Sequence, residues 1–133
     1  MKYLLILILL SFNISCKQKS SSSETKYSTH VNIDALTASP NNFKLLLDNE
    51  NVRVLEYSLK AGEKDKWHTH PAKSSYVVSG GKLKVYLDNG EIIMADEIAG
   101  TASWMNSVGK HYVENVGNSE VKMILTEVKA VTK

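Results

Sequence analysis

Residues Lys82–Glu97 read KLKVYLDNGEIIMADE, and this stretch decides the fold class. From Lys82 to Leu87 the chain alternates, which sets Leu83, Val85 and Leu87 on one face of a strand. Asp88-Asn89-Gly90 then makes a strong hairpin turn, because Asn and Gly tolerate a positive φ. Glu91 to Asp96 reads as the return strand. Outward from this hairpin the pattern repeats. Asn51 to Lys60 (NVRVLEYSLK) is rich in β-branched and aromatic residues, and Glu120 to Val128 makes a last strand. Ala99-Gly100, Val108-Gly109 and Val116-Gly117-Asn118 are further breakpoints. Turns therefore fall roughly every 8–12 residues, the rhythm of an all-β sandwich or barrel. Beyond the N-terminal segment no window of about 12 residues or more has a 3.6-residue period. Phe43 to Leu47 suits either one helical turn or a short strand.

The N-terminus has a different character. Residues 1–15, MKYLLILILLSFNIS, place Lys2 before an apolar run that is too short for a stable span, which takes about 20 residues. This is the layout of a bacterial secretory signal. The single cysteine, Cys16, follows directly, and Ile14-Ser15-Cys16 resembles a lipobox, with Asn13 standing where Leu is usual. The resemblance implies cleavage before Cys16 and lipidation of its thiol. Residues 16–41 are then expected to form a flexible tether, since KQKSSSSETKYSTH has no apolar periodicity and a run of four serines. Residues 42–133 are expected to form the folded domain. The protein is accordingly expected in the cell envelope, as a membrane-anchored lipoprotein facing the periplasm.

Sixteen Lys+Arg against fourteen Asp+Glu in 133 residues is too balanced for a dedicated nucleic-acid binder, which needs a clustered basic face. One cysteine allows no intrachain disulfide. Chemistry is concentrated in the histidines. His68 and His70 stand at i and i+2, on one face of a strand, and His111 opens the segment HYVEN about 40 residues later. If a barrel closes, the three imidazoles can converge, a neutral donor set that suits Fe(II), Mn, Ni, Cu or Zn. His30 has no assigned role.

The spacing around these histidines resembles the two signature motifs of the cupin superfamily. The first runs from Gly62 through His68-x-His70 to Gly81; the second runs from Gly100 to His111 and Asn115. The resemblance implies a single cupin barrel, jelly-roll-like, over about Asn42 to Lys129, with His68, His70 and His111 as metal ligands. The pattern departs at the family's Glu ligand. Counting forward from His70 allows Ser74 or Ser75, and counting back from Gly81 selects Ser74. Asn106 replaces the second motif's Pro, and Gly109 falls one step late. Parity with Ser74 points Tyr76 inward, so Ser74, Tyr76 and Asn115 are the expected pocket-lining residues. Glu114 has the opposite parity to His111 and is expected to face out. Trp104 and Met94 are expected in the core.

The resemblance implies a divalent transition metal as cofactor and a small molecule as ligand. A domain that binds a divalent metal through the three histidines is the leading reading, with oxygenase- or isomerase-type catalysis left open, and a non-enzymatic barrel binding a small molecule or a metal ion is the alternative. A structural envelope protein with solvent-facing histidines is the third. No catalytic residue is assigned. A homodimer through sheet edges is also expected of such a barrel, because open edge strands need cover.

Overall fold

The computed structural model describes residues 32–130. The expected signal segment, Cys16, the serine run and His30 lie outside the described residues. After a four-residue helix, α1 (Ala35–Ala38), come nine strands: β1 (Phe43–Asp48), β2 (Val52–Leu59), β3 (His68–His70), β4 (Lys73–Ser79), β5 (Gly81–Leu87), β6 (Ile92–Glu97), β7 (Ala102–Met105), β8 (Val108–Asn115) and β9 (Val121–Val128). They form two antiparallel sheets, a five-stranded one in the order β1-β2-β9-β4-β7 and a four-stranded one in the order β3-β8-β5-β6. The ambiguous segment after Asn42 is thus a strand, not a helical turn.

The expected alternations are the ones that build the core. Leu55, Tyr57 and Leu59 of β2 face Val121, Met123 and Leu125 of β9, and Leu83 and Val113 answer them from the other sheet. The Asp88-Asn89-Gly90 hairpin closes with Leu87 N–H donating to Glu91 O and the Asn89 carboxamide oxygen accepting from Glu91 N–H. Gly62 and Gly100, which open the two motifs, have φ of +75° and +83°, a region costly for any residue with a Cβ.

Three expectations are corrected. The folded unit begins well before Asn42. Asp34 caps α1 by accepting from Thr37 N–H, Ala35 is fully buried in the core, and Asp34 pairs with Arg53 at 2.6 Å. Ile33 N–H and O also bond Thr69, so this segment straps β3 rather than hanging as tether. Trp104 and Met94 are exposed, not core. Finally, the inward face of β4 carries Lys73, Ser75 and Val77, whereas Ser74 and Tyr76 point away from the cavity.

Candidate metal centre

β3 and β8 are antiparallel neighbours in which His68 lies opposite His111. Period-two alternation brings His70 to the same side. The three rings converge, with centroids 4.8 Å apart for His68–His70, 4.4 Å for His68–His111 and 5.6 Å for His70–His111. One ligating nitrogen from each lies within 4.8 Å of the others, and all three side chains are buried. The expected triad is assembled.

Each ring is held by its other nitrogen. His68 Nδ1 lies 2.7 Å from Lys66 O, and His111 Nδ1 lies 2.8 Å from Gly109 O. A carbonyl oxygen only accepts, so both Nδ1 atoms carry the proton and both Nε2 atoms keep a lone pair. His70 Nδ1 donates to the Glu127 carboxylate at 2.5 Å, with the same consequence. The other Glu127 oxygen accepts from Arg53 Nε at 2.7 Å, and Arg53 in turn reaches Asp34. Burial pushes Glu127 up, but the bonds from His70 and Arg53 outweigh it and leave it below the ordinary carboxylate range. A chain Asp34–Arg53–Glu127–His70 therefore fixes the third ring.

Electrostatics keep the donor set neutral. Burial, followed by the neighbouring His111, lowers His68 to about 3. Burial lowers His111 to about 4, and burial also holds His70 below its usual value. Three neutral imidazoles with anchored Nδ1 atoms are the form that a divalent transition ion binds. The residues fit such an ion: His68, His70 and His111 would hold it.

The rings sit in a cavity of about 100 Å³. Phe43, Tyr57, Leu83, Val85, Val113, Met123 and Leu125 wall it, together with the polar residues Lys73, Ser75, Glu97 and Ser103. Met105 lines it too and is 44% exposed, so the cavity opens on the β7 side. A larger groove of about 550 Å³ lies across the His70–Glu127 pair, and its charged walls are already paired, Arg53 with Asp34 and Glu127, and Lys129 with Asp48.

The pocket-lining expectations fare differently from the triad. Ser74 lies opposite Thr126 and Trp104 on the outer face, and Tyr76 is 48% exposed there. Counting back from Gly81 misleads because β4 carries an irregularity against β9, where Val77 pairs Met123 and Ser79 pairs Lys122. The extra residue shifts parity by one. Asn115 is fully buried but does not line the cavity. Its amide nitrogen donates to Leu59 O and Ser119 O, each at 2.8 Å, and its oxygen accepts from Gly117 N–H, which locks the β8–β9 turn. Glu114 faces out as expected, bonded to Tyr86 and Lys64. Asp65 is buried near His68, but its oxygens are occupied by Tyr57 O–H and Val113 N–H, and burial raises it to about 6.

Sequence reasoning missed Glu127 and Lys73, and passed over Ser75 in favour of Ser74. A signal existed: Val121, Met123, Leu125 and Glu127 share one parity, so an inward Glu was legible.

Comparison with solved structures bears on the fold. The chain is similar to a cupin domain from Bordetella pertussis Tohama I, at 24% identity and a TM-score of 0.61, over 66% of this chain and 92% of that one. The chain has the cupin fold. A double-stranded β-helix protein from Klebsiella pneumoniae (17% identity, TM-score 0.54, 68% and 78% covered) is also similar. So is an RmlC-like cupin from Methanocaldococcus jannaschii (16%, 0.53, 65% and 77%). No protein-family model and no curated protein sequence matches the chain. The cupin barrel here thus stands on structural likeness, with its histidines at the inward positions of two neighbouring strands.

Proposed function

We propose that this cupin barrel binds a divalent transition metal through His68, His70 and His111 and acts on a small molecule held beside it. The observation that carries the reading is the anchoring of all three Nδ1 atoms, which leaves three lone pairs converging in one buried cavity. A bound ion would supply Lewis-acid or redox chemistry to that molecule, of the kind used in oxygenase- and isomerase-type reactions. The protein's part is to hold the rings, exclude water and admit ligand past Met105. A second reading, a non-enzymatic carrier of a small molecule or metal ion, is favoured by Ser75, which puts a hydroxyl where the cupin pattern has its Glu ligand.

Titration of the metal-free full chain with Zn(II) or Co(II) tests the metal reading. Removal of any one of the three histidines is expected to weaken binding by about tenfold or more, while His30→Ala leaves it unchanged. Equal losses from His30→Ala and His111→Ala would refute the triad. Turnover of a bound small molecule, as against binding alone, separates the enzyme from the carrier.

We also propose attachment to the envelope membrane through lipid on Cys16, supported by the apolar run and lipobox-like Ile14-Ser15-Cys16. Cys16→Ala is expected to block processing and release the protein from membranes. Normal processing and membrane partitioning of that variant would contradict the anchor.

A further inference from the structure

Lys73 and Ser75 stand two residues apart on the inward face of β4, and both line the cavity of the histidine rings. Lys73 is 7% exposed and Ser75 is 3% exposed. A buried ammonium ordinarily has a partner, because leaving water uncompensated is costly. Among the described residues Lys73 makes no ion pair and neither side chain makes a hydrogen bond to protein. No fully enclosed polar side-chain atom among them lacks a partner, so the Lys73 ammonium and the Ser75 hydroxyl open onto the cavity.

The surrounding charges leave these two groups to a ligand. Glu127 lies opposite Lys73 across the strands, but its oxygens are taken by His70 and Arg53. Glu97 lines the cavity from β6 and does not reach Lys73 as an ion pair. The three imidazoles are neutral and accept nothing at their Nδ1 atoms. Burial pushes Lys73 down to about 8, which still leaves it protonated at neutral pH. Apart from Ser103, the remaining wall is aliphatic and aromatic, and the volume is small.

We propose that this cavity takes a small monocarboxylate. Its carboxylate lies against the Lys73 ammonium and the Ser75 hydroxyl beside the histidine triad, and its aliphatic body lies against Phe43, Leu83, Val85 and Met123. The assignment rests on the same site as the metal reading and names its ligand class. A carboxylate satisfies both free donors at once, and charge-assisted hydrogen bonds are the strong ones. A single ammonium in apolar walls favours a monoanion with a hydrocarbon tail over a multiply charged oxyanion.

The test follows the Met123 methyl signal by NMR in the full chain, metal-free and zinc-loaded, as butyrate is added. Butyramide and inorganic phosphate serve as comparison ligands. Butyrate is expected to shift the signal saturably, and butyramide and phosphate to bind at least about tenfold more weakly, as loss of a charged hydrogen bond implies. Lys73→Met should weaken butyrate at least about tenfold, while the control Lys110→Met, on the outer surface over Trp67, should not. Ser75→Glu should also abolish butyrate binding, since its own carboxylate takes the place, and it decides the matter if Lys73→Met does not fold. Equal binding of butyramide, undiminished butyrate binding in Lys73→Met, or no saturable shift in either form would overturn the proposal. If zinc leaves the histidine rings unperturbed while butyrate still discriminates Lys73→Met, the metal reading alone fails. If zinc binds stoichiometrically and butyrate does not, the carboxylate proposal alone fails.

Discussion

An imidazole has two nitrogens, and only one of them can serve the cavity. In His68 and His111 the backbone carbonyls of Lys66 and Gly109 occupy the other; in His70 a carboxylate does. A carboxylate on the far side of a ligating ring orients it and raises its basicity. Glu127→Gln keeps an acceptor but removes the charge, and it leaves the Arg53 guanidinium facing a neutral amide. Metal affinity should fall by about tenfold to a hundredfold. An unchanged affinity in a folded Glu127→Gln variant would show that Glu127 serves only the fold. Its role was hidden in the sequence because a Glu near the C-terminal end of a strand reads as a solvated residue until its parity with Leu125 is counted.

At the scale of elements, β4 decides what completes the site. Ser75 pairs Leu125 and shares the inward face with Lys73 and Val77, whereas Ser74 pairs Thr126 on the outside. Ser75→Glu should therefore raise metal affinity by roughly tenfold or more, by adding an oxygen ligand to three imidazoles, and Ser74→Glu should leave it unchanged. The nearby Lys73 ammonium offsets much of the cost of burying the new carboxylate, so the metal-free melting temperature should drop little. Tighter binding in Ser74→Glu than in Ser75→Glu would reverse the register assigned to β4. That either Ser74 or Ser75 takes the place of the family's Glu was legible here from the spacing after His70; which of the two faces in was not. The irregularity at Val78 was hidden, because it arises from pairing with β9, a strand more than 40 residues away. The same holds for α1: nothing local in AsnIleAspAlaLeu announces that Asp34 will meet Arg53 and that Ala35 will be buried.

At the scale of the whole molecule, the buried imidazoles make stability depend on pH. His68 and His111 titrate near 3 and 4 in the folded chain but near 6.5 when unfolded. As pH falls from about 6.5 toward 4, the unfolded chain takes up protons that the folded chain does not. Metal-free protein should then lose up to about 1.4 kcal/mol per pH unit for each ring. Asp65 opposes this, since its folded value of about 6 lies above 3.8 and the folded chain gains the proton between them. Two imidazoles, joined by His70, outweigh one carboxyl, so the melting temperature should fall steadily below about pH 6.5. A melting temperature flat from pH 7 to 5 would show that the rings are not held neutral by burial. The barrel itself was legible throughout, because two-residue alternation and closely spaced turns are local properties. The triad was legible because its histidines keep motif spacing, and the outer partners of His70 were not, because they come from β2, β9 and the segment before α1.

The central claim is that three neutral histidines form a metal centre, and elemental analysis of the full chain tests it most directly. After anaerobic reconstitution with Fe(II) at neutral pH and removal of free ion, the account predicts about one metal per chain, lost when His68, His70 and His111 are replaced together. A stoichiometry below about 0.1 per chain in the unaltered protein would contradict it.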